Sequence, residues 1–209
     1  MCLGLYIKML GLIYQQYVYK RALDECIYRA RVFELPARSK LVHIGDYAYK
    51  EYFHKVADVL PDYSKVVQDI KPVPLNKKEF SQEKEWIYLI MVNGYIVKIG
   101  GTRTGLGKRW NSYACGHYCI ERGNRGKCSE TNANVYNTLC AFIRQRGWKV
   151  ELYGYPVKPV KHKLHMFGEE MEVPVQTYHV YESKILGDFE RKYGSMPYLS
   201  LNSDPNYRH

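Results

Sequence analysis

The spacing of apolar side chains in the first part of the chain is helical. From Tyr14 to Phe33 apolar and aromatic residues recur at helical intervals, which predicts a helix. The same spacing predicts a second helix from about Tyr47 to Leu60. The segment Pro61–Ser64 then ends this helix and offers Ser64 as the N-cap of a short third one.

A segment with two prolines follows these predicted helices. Pro72 and Pro74 each fix the backbone and remove a hydrogen-bond donor, so Lys71–Lys78 is predicted to be an extended linker. We therefore expect two parts: a helical N-terminal region with its linker over residues 1–78, and a second domain over residues 79–209.

After the linker the pattern becomes that of strands. Trp86–Val92 and Tyr95–Ile99 are rich in β-branched and aromatic residues, and Asn93-Gly94 between them is typical of a type I′ turn. The pattern predicts an antiparallel hairpin. Counted back from the turn, Tyr88 and Lys98 lie nearly opposite one another, so both side chains can approach the same reacting group.

Helices and strands alternate in the rest of the chain. Ser129–Gln145 is predicted to be a helix that stops at Gly147, with a buried stripe of Val135, Leu139, Phe142 and Ile143. The other predicted elements are a short helix Gly107–Tyr113, a basic loop Ala114–Lys127, a strand Trp148–Val157, a hairpin Lys158–Gln176 turning near Gly168-Glu169, and a helix Tyr178–Lys192 closed by Gly194. The tail from Ser195 is rich in turn residues and is expected to be partly mobile. The fold class is therefore predicted to be α+β, with a small antiparallel sheet flanked by helices and preceded by the helical N-terminal region.

The formal charge of +10 indicates a polyanionic partner, either a nucleic acid or a membrane surface. Most of the excess is local, because between Lys98 and Lys149 there are ten Lys or Arg residues and only two acids, Glu121 and Glu130. Aromatic residues lie among these cations, as in grooves that follow phosphates and stack on bases. The pattern favours nucleic acid, although a solvated basic face would have the same composition.

The start of the chain, Met1–Ile13, is apolar but carries Lys8 inside the run. It has no basic stretch before it and no small-residue cleavage site after it, which argues against a signal peptide. No stretch reaches the roughly 18 uninterrupted apolar residues that a membrane span needs. We therefore expect a cytoplasmic protein without a membrane partner.

The six cysteines, in a chain without a secretory signal, are expected to be reduced thiols. Cys115, Cys119 and Cys128 with His117 are candidate ligands for a zinc ion. Structural zinc sites usually present their ligands in two close pairs, and no Cys-x-x-Cys pair occurs here. The spacing therefore favours ordinary thiols over structural zinc.

Four segments, taken in order, resemble the GIY-YIG nuclease superfamily over about residues 85–200. The matching segments are the motif strands Trp86-Ile87-Tyr88 and Val97-Lys98-Ile99-Gly100, the arginine helix Gly107–Tyr113, and the glutamate helix that begins Tyr178-His179-Val180-Tyr181-Glu182. Lys98 replaces the tyrosine of the second motif strand, and this replacement resembles the type II restriction endonuclease branch. The segment Cys128–Asn132 is similar to that branch as well.

The resemblance implies a phosphodiester hydrolase with one Mg²⁺ ion per active site, held by Glu182. Arg109 would bind the non-bridging phosphate oxygens with its fork of donors. Tyr88 would act as the general base or orient the attacking water. A phenol has an unperturbed pKa of about 10, so Lys98 and the metal would have to favour its ionised form. Tyr113 would contact the phosphate or hold Lys98.

One position departs from the pattern. After the Lys-Ile-Gly of the second motif strand, the resemblance implies a histidine, whereas this chain has Gly101. His117 could take its place in space, but a solvent-exposed or phosphate-contacting histidine is the favoured interpretation.

The site residues also have purely structural interpretations. Tyr88 could be a core residue, and Glu182 could be an exposed acid on a helix. Lys98 is harder to explain in this way, because a lysine between two apolar strand residues must face solvent or meet a partner.

The favoured hypothesis is site-specific, Mg²⁺-dependent cleavage of double-stranded DNA by a homodimer, with a cognate DNA methyltransferase if the protein is a restriction enzyme. One alternative is a structure-directed or homing-type nuclease that nicks DNA as a monomer, and another is an inactive DNA-binding module. The expected DNA contacts are Arg103, Lys108, His117, Arg122, Arg125, Lys127 and Asn132.

Overall fold

The computed structural model describes residues 41–62, 69–121 and 130–200, except for the side chains of residues 69, 116–121, 130 and 145. The described helices are α1 (Lys77–Ser81), α2 (Leu106–Glu121), α3 (Glu130–Arg146) and α4 (Tyr178–Tyr193), with 3₁₀ turns at Ile44–Asp46 and Lys50–Tyr52. The strands are β1 (Val42–His43), β2 (His54–Asp62), β3 (Asp69–Pro74), β4 (Trp86–Val92), β5 (Tyr95–Thr102), β6 (Val150–Pro156), β7 (Val160–Met166) and β8 (Glu169–Val175).

The first six of these strands form one sheet in the order β1-β5-β4-β6-β2-β3, and β7 and β8 form a second sheet. Strand β4 pairs antiparallel with both of its neighbours, β5 and β6. The mixture of helices with a mostly antiparallel sheet confirms the predicted α+β class. None of the helices in the described segments is long and apolar enough to cross a membrane.

The chain divides into two compact units. Of the described residues, the first unit holds 60–62, 69–71, 113–121 and 130–147, including all of α3. The second holds 41–59, 72–112 and 148–200, which include β4, β5 and α4.

The β4–β5 hairpin has the predicted turn. Asn93 and Gly94 have φ angles of 50° and 83°, and a type I′ turn needs both central residues at positive φ. Beyond the turn the pairing shifts by one residue, because Met91 faces Ile96 whereas Ile90 faces Lys98. The extra residue on β5 makes a β-bulge.

The bulge decides which way the two motif side chains point. Tyr88 pairs with Gly100, and Lys98 pairs with Ile90, so Tyr88 and Lys98 lie two positions apart on one face of the hairpin. The sequence suggested that Tyr88 and Lys98 lie nearly opposite one another, but in the structure Gly100 is the residue opposite Tyr88. Without the bulge the pairing would place Tyr88 and Lys98 on different faces, because a slip of one residue reverses the direction of every side chain.

The opposite face of the hairpin packs against α4. Ile87, Leu89 and Ile99 from the strands belong to the same buried cluster as Leu186 and Phe189 from the helix. Burial of each large apolar side chain stabilises the fold by about 1.5–3 kcal/mol. This cluster therefore fixes α4 against the two motif strands.

The predicted helix from Tyr47 to Leu60 is wrong. Its second half is strand β2, which pairs with β6, and a bulge lies between Lys55 and Ala57. The bulge interrupts the alternation of buried and exposed residues, so that Val56, Ala57 and Val59 are buried with a spacing that imitates a helix.

The predicted linker Lys71–Lys78 is also wrong. Asp69–Pro74 is strand β3, which lies at the edge of the six-stranded sheet. An edge strand tolerates proline, because one side of it forms no hydrogen bonds with another strand. Residues Lys77–Ser81 then form α1, whose N-cap is Asn76; its side chain accepts from the Glu79 N–H. The predicted helices over 14–33 and after Ser64 lie outside the described residues, as does the N-terminal region up to residue 40.

Helix α2 is longer than predicted, because the predicted loop Ala114–Lys127 continues the helix as far as Glu121. The predictions for α3, β6, the β7–β8 hairpin and α4 are confirmed within a few residues. The glycine stops are confirmed too: Gly147 and Gly194 have positive φ, and the Gly194 N–H donates to the Glu190 carbonyl.

Candidate active site

Tyr88, the candidate general base, lies across Gly100 on the neighbouring strand. A Cβ atom at residue 100 would overlap the phenol, so this position requires glycine. The Arg109 Nε–H group on α2 donates a hydrogen bond of 3.0 Å to the phenol oxygen. Because a guanidinium only donates, the tyrosine is the acceptor and its own hydrogen points elsewhere.

Lys98 is buried, with 3% of its surface exposed. Its ammonium group donates to the Leu199 carbonyl at 3.1 Å. Burial and repulsion from Arg109 lower the pKa of Lys98 from 10.5 to about 8, and the Glu182 carboxylate opposes this shift. Arg109 is therefore the residue that donates a hydrogen bond to Tyr88. Lys98 instead donates to a main-chain carbonyl near the C-terminus.

The segment that holds Lys98 is bound along β5. The Leu199 N–H donates to the Val97 carbonyl at 2.6 Å. The Ser200 hydroxyl accepts from the Ile99 N–H at 2.9 Å and donates to the Ile99 carbonyl at 3.0 Å. Leu199 and Ser200 are buried, so this part of the tail is bound to β5. The partial mobility expected of the tail stays a prediction, and residues 201–209 lie outside the described part.

Glu182, the candidate metal ligand, lies on α4 against Gly101. A Cβ atom at residue 101 would lie 2.8 Å from a Glu182 carboxylate oxygen and 2.6 Å from the Tyr178 ring. The place of the histidine that the resemblance implied is therefore filled by Tyr178 and Glu182. A Cβ atom at residue 100 and one at residue 101 would project to opposite faces of β5. Because both residues are glycine, only the strand backbone lies between Tyr88 on one face and Glu182 on the other.

Glu85 fixes the helix that carries Glu182. One of its carboxylate oxygens accepts three hydrogen bonds, from the Thr177 N–H at 2.9 Å, the Thr177 hydroxyl at 3.2 Å and the Tyr178 N–H at 3.0 Å. These groups lie at the N-terminus of α4, where a negative charge also interacts favourably with the helix dipole. Glu85 directly precedes β4, so it joins the strand of Tyr88 to the helix of Glu182.

The roles of Glu85, Leu199 and Ser200 do not follow from the sequence pattern. An acid before a strand does not reveal which distant helix it caps, and a main-chain carbonyl leaves no signal in the sequence. In the structure Thr177 makes no side-chain cap bond of its own, which leaves the start of α4 open to an outside acceptor.

The donor set fits a magnesium ion with few protein ligands. Mg²⁺ prefers oxygen ligands and is often bound through one or two carboxylates, with water and substrate phosphate completing its shell. Glu182 offers a half-buried carboxylate whose charge acts on Lys98, and the Arg109 guanidinium acts on Lys98 as well. Both cations are attracted to phosphate. Among the described residues there is no group of three or more acidic, histidine or cysteine side chains that could hold a metal.

The remaining predicted site residues are more dispersed. Arg103 and Lys108 are exposed, and the Lys108 ammonium group donates to Glu83 at 2.5 Å. Tyr113 is buried on α2, one helical turn after Arg109, and Asn132 is half-buried on α3. Arg122, Arg125, Lys127 and the side chain of His117 lie outside the described residues.

Most of the candidate zinc ligands have side chains outside the described part of the structure. Cys115 is exposed, while the side chains of Cys119, Cys128 and His117 are not described. The preference for ordinary thiols therefore stays a prediction.

No protein-family model matches the chain, and no curated protein matches it. Among solved structures it is similar to the restriction endonuclease HPY188I in complex with product DNA, with 26% identity and a TM-score of 0.52, over 75% of this chain and 84% of that chain. It is also similar to a mutant of EndoII from bacteriophage T4, with 22% identity and a TM-score of 0.48, over 71% of this chain and 96% of that chain. By its likeness to the first of these structures, the chain has a nuclease fold.

Proposed function

We propose that the protein is a Mg²⁺-dependent endonuclease of the GIY-YIG superfamily that cleaves double-stranded DNA at specific sites. One observation carries the proposal: Tyr88, Lys98 and Arg109 lie together on one side of the β4–β5 hairpin, and Glu182 lies across the Gly100-Gly101 backbone from Tyr88. The likeness to a restriction endonuclease bound to DNA supports DNA as the substrate. The charge of +10 supports it too.

Phosphodiester hydrolysis needs a positioned water and a positive environment for the charge that develops on the phosphate. The Tyr88 oxygen accepts from Arg109. Beside this cation the phenol would orient the attacking water, or as the phenolate it would take the proton of that water. The same guanidinium would bind a non-bridging phosphate oxygen through its planar fork of donors.

Lys98, whose ammonium group is held in place by the Leu199 carbonyl, would add positive charge near the reacting phosphate. Glu182 would hold the magnesium ion, which when bound supplies further charge stabilisation and a more acidic water. Exposed Arg103 and Lys108 would contact the DNA backbone next to the site. Cutting both strands calls for two antiparallel sites, so we include a homodimer in the proposal.

The test uses methylation-free supercoiled plasmid with Mg²⁺ and three proteins: wild type, Glu182→Gln, and Glu190→Gln as a control on the same helix. Glu190 is exposed and lies two turns beyond Glu182. We expect wild type and control to give discrete linear fragments. Glu182→Gln should bind DNA normally but cut it at least about 100-fold more slowly, the usual loss when one charge-stabilising group is removed.

Cleavage by Glu182→Gln at the control rate would contradict the assignment of this residue. Nicked circles without linear fragments would instead favour the nicking alternative, and intact plasmid with tight binding would favour the inactive DNA-binding module. Discrete fragments would also call for a cognate methyltransferase that protects the host DNA.

A further inference from the structure

The β7–β8 hairpin forms a two-stranded sheet of its own. Most of its side chains are exposed, and Phe167 at the turn is 99% exposed. Phe167 has a φ of 55° and Gly168 a φ of 85°, so a bulky residue is held at positive φ, an uncommon conformation. A two-stranded hairpin is marginally stable by itself in water.

The two faces of this hairpin differ in chemistry. One face carries the pairs Val160–Val175, His162–Val173, Leu164–Met171 and Met166–Glu169. Four of its six apolar residues, Val160, Met166, Met171 and Val175, are 40–43% exposed. The other face is charged, with ion pairs Lys161–Glu172 at 2.9 Å and Lys163–Glu170 at 2.6 Å. The hairpin therefore presents an apolar face to solvent.

The charge of the hairpin argues against DNA as the partner of this face. Within residues 158–176 three lysines are balanced by three glutamates, although the whole chain carries +10. Two of these lysines already have acidic partners. An arm that binds DNA needs an excess of cations, whereas an apolar face with balanced charges is typical of the core of a protein interface.

We propose that this apolar face packs against the same face of a second copy of the chain, antiparallel and about a twofold axis at Leu164 and Met171. His162 on β7 and Glu169 on β8 belong to this face too, and they lie on opposite sides of the Leu164–Met171 pair. Antiparallel packing brings each Glu169 beside the His162 of the other copy. This complementarity favours a second copy over an unrelated protein.

The inference rests on the proposed function in one respect, because it supplies the interface for the homodimer that double-strand cleavage needs. Its test does not depend on cleavage. Sedimentation equilibrium at micromolar concentration should give wild type a mass of twice the 24.6 kDa chain.

Met171→Glu places a carboxylate at the centre of the apolar face and should give the monomer mass. His165→Glu adds the same group to the charged face and should leave the dimer intact. Both side chains are exposed within one chain, so neither variant is expected to unfold it. Circular dichroism of both variants checks this.

A second measurement uses cysteine variants. Met171→Cys should form a disulfide-linked dimer on mild oxidation, well above the background of wild type, and Lys163→Cys should not. Equal cross-linking by the two variants would overturn the proposal.

A monomeric wild type, or a dimeric Met171→Glu, would also overturn it. So would a Met171→Glu variant that binds DNA less well without a change in mass, since the hairpin would then serve DNA. A dimer that fails to cut DNA leaves the interface standing and removes the proposed function, whereas cleavage by a monomer does the reverse.

Discussion

Lys98 carries its charge in the interior of the fold, where its ammonium group has a main-chain carbonyl as acceptor. Its folded pKa of about 8 lies below the ordinary 10.5, so folding disfavours the charged form. Below pH 8 the folded protein carries this whole cost. Between pH 8 and 10.5 the unfolded chain binds the proton and the folded one does not, so stability rises with pH; above both values the cost is gone.

Lys98→Met should therefore stabilise the protein at pH 7, by about 1 kcal/mol or more, while abolishing cleavage. The gain should shrink as pH rises from 8 to 10, because wild-type Lys98 loses its charge over that range. Urea unfolding at several pH values measures it. The exposed Lys78→Met is the matched control and should change little; a Lys98→Met protein less stable than wild type at pH 7 would contradict this reasoning.

At the scale of elements, the site depends on how α4 meets the motif hairpin. The apolar cluster that includes Leu186 and Phe189 fixes the helix laterally, and Glu85 caps its N-terminus with three hydrogen bonds. Glu182 lies on the second turn of this helix. A shift at the cap would therefore move the candidate metal ligand relative to Tyr88.

Glu85→Ala should lower stability by about 1–2 kcal/mol, as the loss of a strong helix cap does. It should also raise the Mg²⁺ concentration that gives half-maximal cleavage more than it lowers the rate at saturating Mg²⁺. Glu85→Gln keeps an acceptor oxygen and should recover part of both effects. Glu83→Ala, at an exposed neighbour, is the control. If Glu85→Ala needs the same Mg²⁺ concentration as wild type for half-maximal cleavage, Glu85 stabilises the helix but does not position Glu182 for the metal.

At the scale of the whole molecule, the site is completed by a segment 101 residues beyond Lys98 in the chain. Leu199 supplies the acceptor for the ammonium group, and Ser200 fixes that segment through both hydrogen bonds to Ile99. A contact of this separation costs loop-closure entropy, which the buried hydrogen bonds and side chains must offset.

Ser200→Ala should lower stability by about 1–3 kcal/mol, because it leaves buried main-chain groups of Ile99 without their partner. It should also lower the rate of cleavage, since Lys98 loses the support of its acceptor. Thermal unfolding and plasmid cleavage measure the two effects, with the exposed Ser195→Ala as control. Full activity in a destabilised Ser200→Ala protein would show that the segment only stabilises the fold.

The sequence by itself determined the elements whose signals are local. The Asn93-Gly94 turn, the helix stops at Gly147 and Gly194, and the β7–β8 hairpin each follow from a few adjacent residues, so all were predicted with nearly correct bounds. The site residues could be nominated as well, because their order along the chain resembles a known pattern.

Tertiary structure alone decided the rest. The bulge beside Lys98 and the bulge after Lys55 depend on how each strand pairs with its neighbour, which no short window of sequence records. The bulge beside Lys98 places its side chain on the same face as Tyr88. The bulge after Lys55 gives strand β2 a spacing of buried residues that resembles that of a helix. The Glu85 cap and the Leu199 acceptor likewise join groups far apart in the chain, where local propensity carries no information and only packing selects the partner.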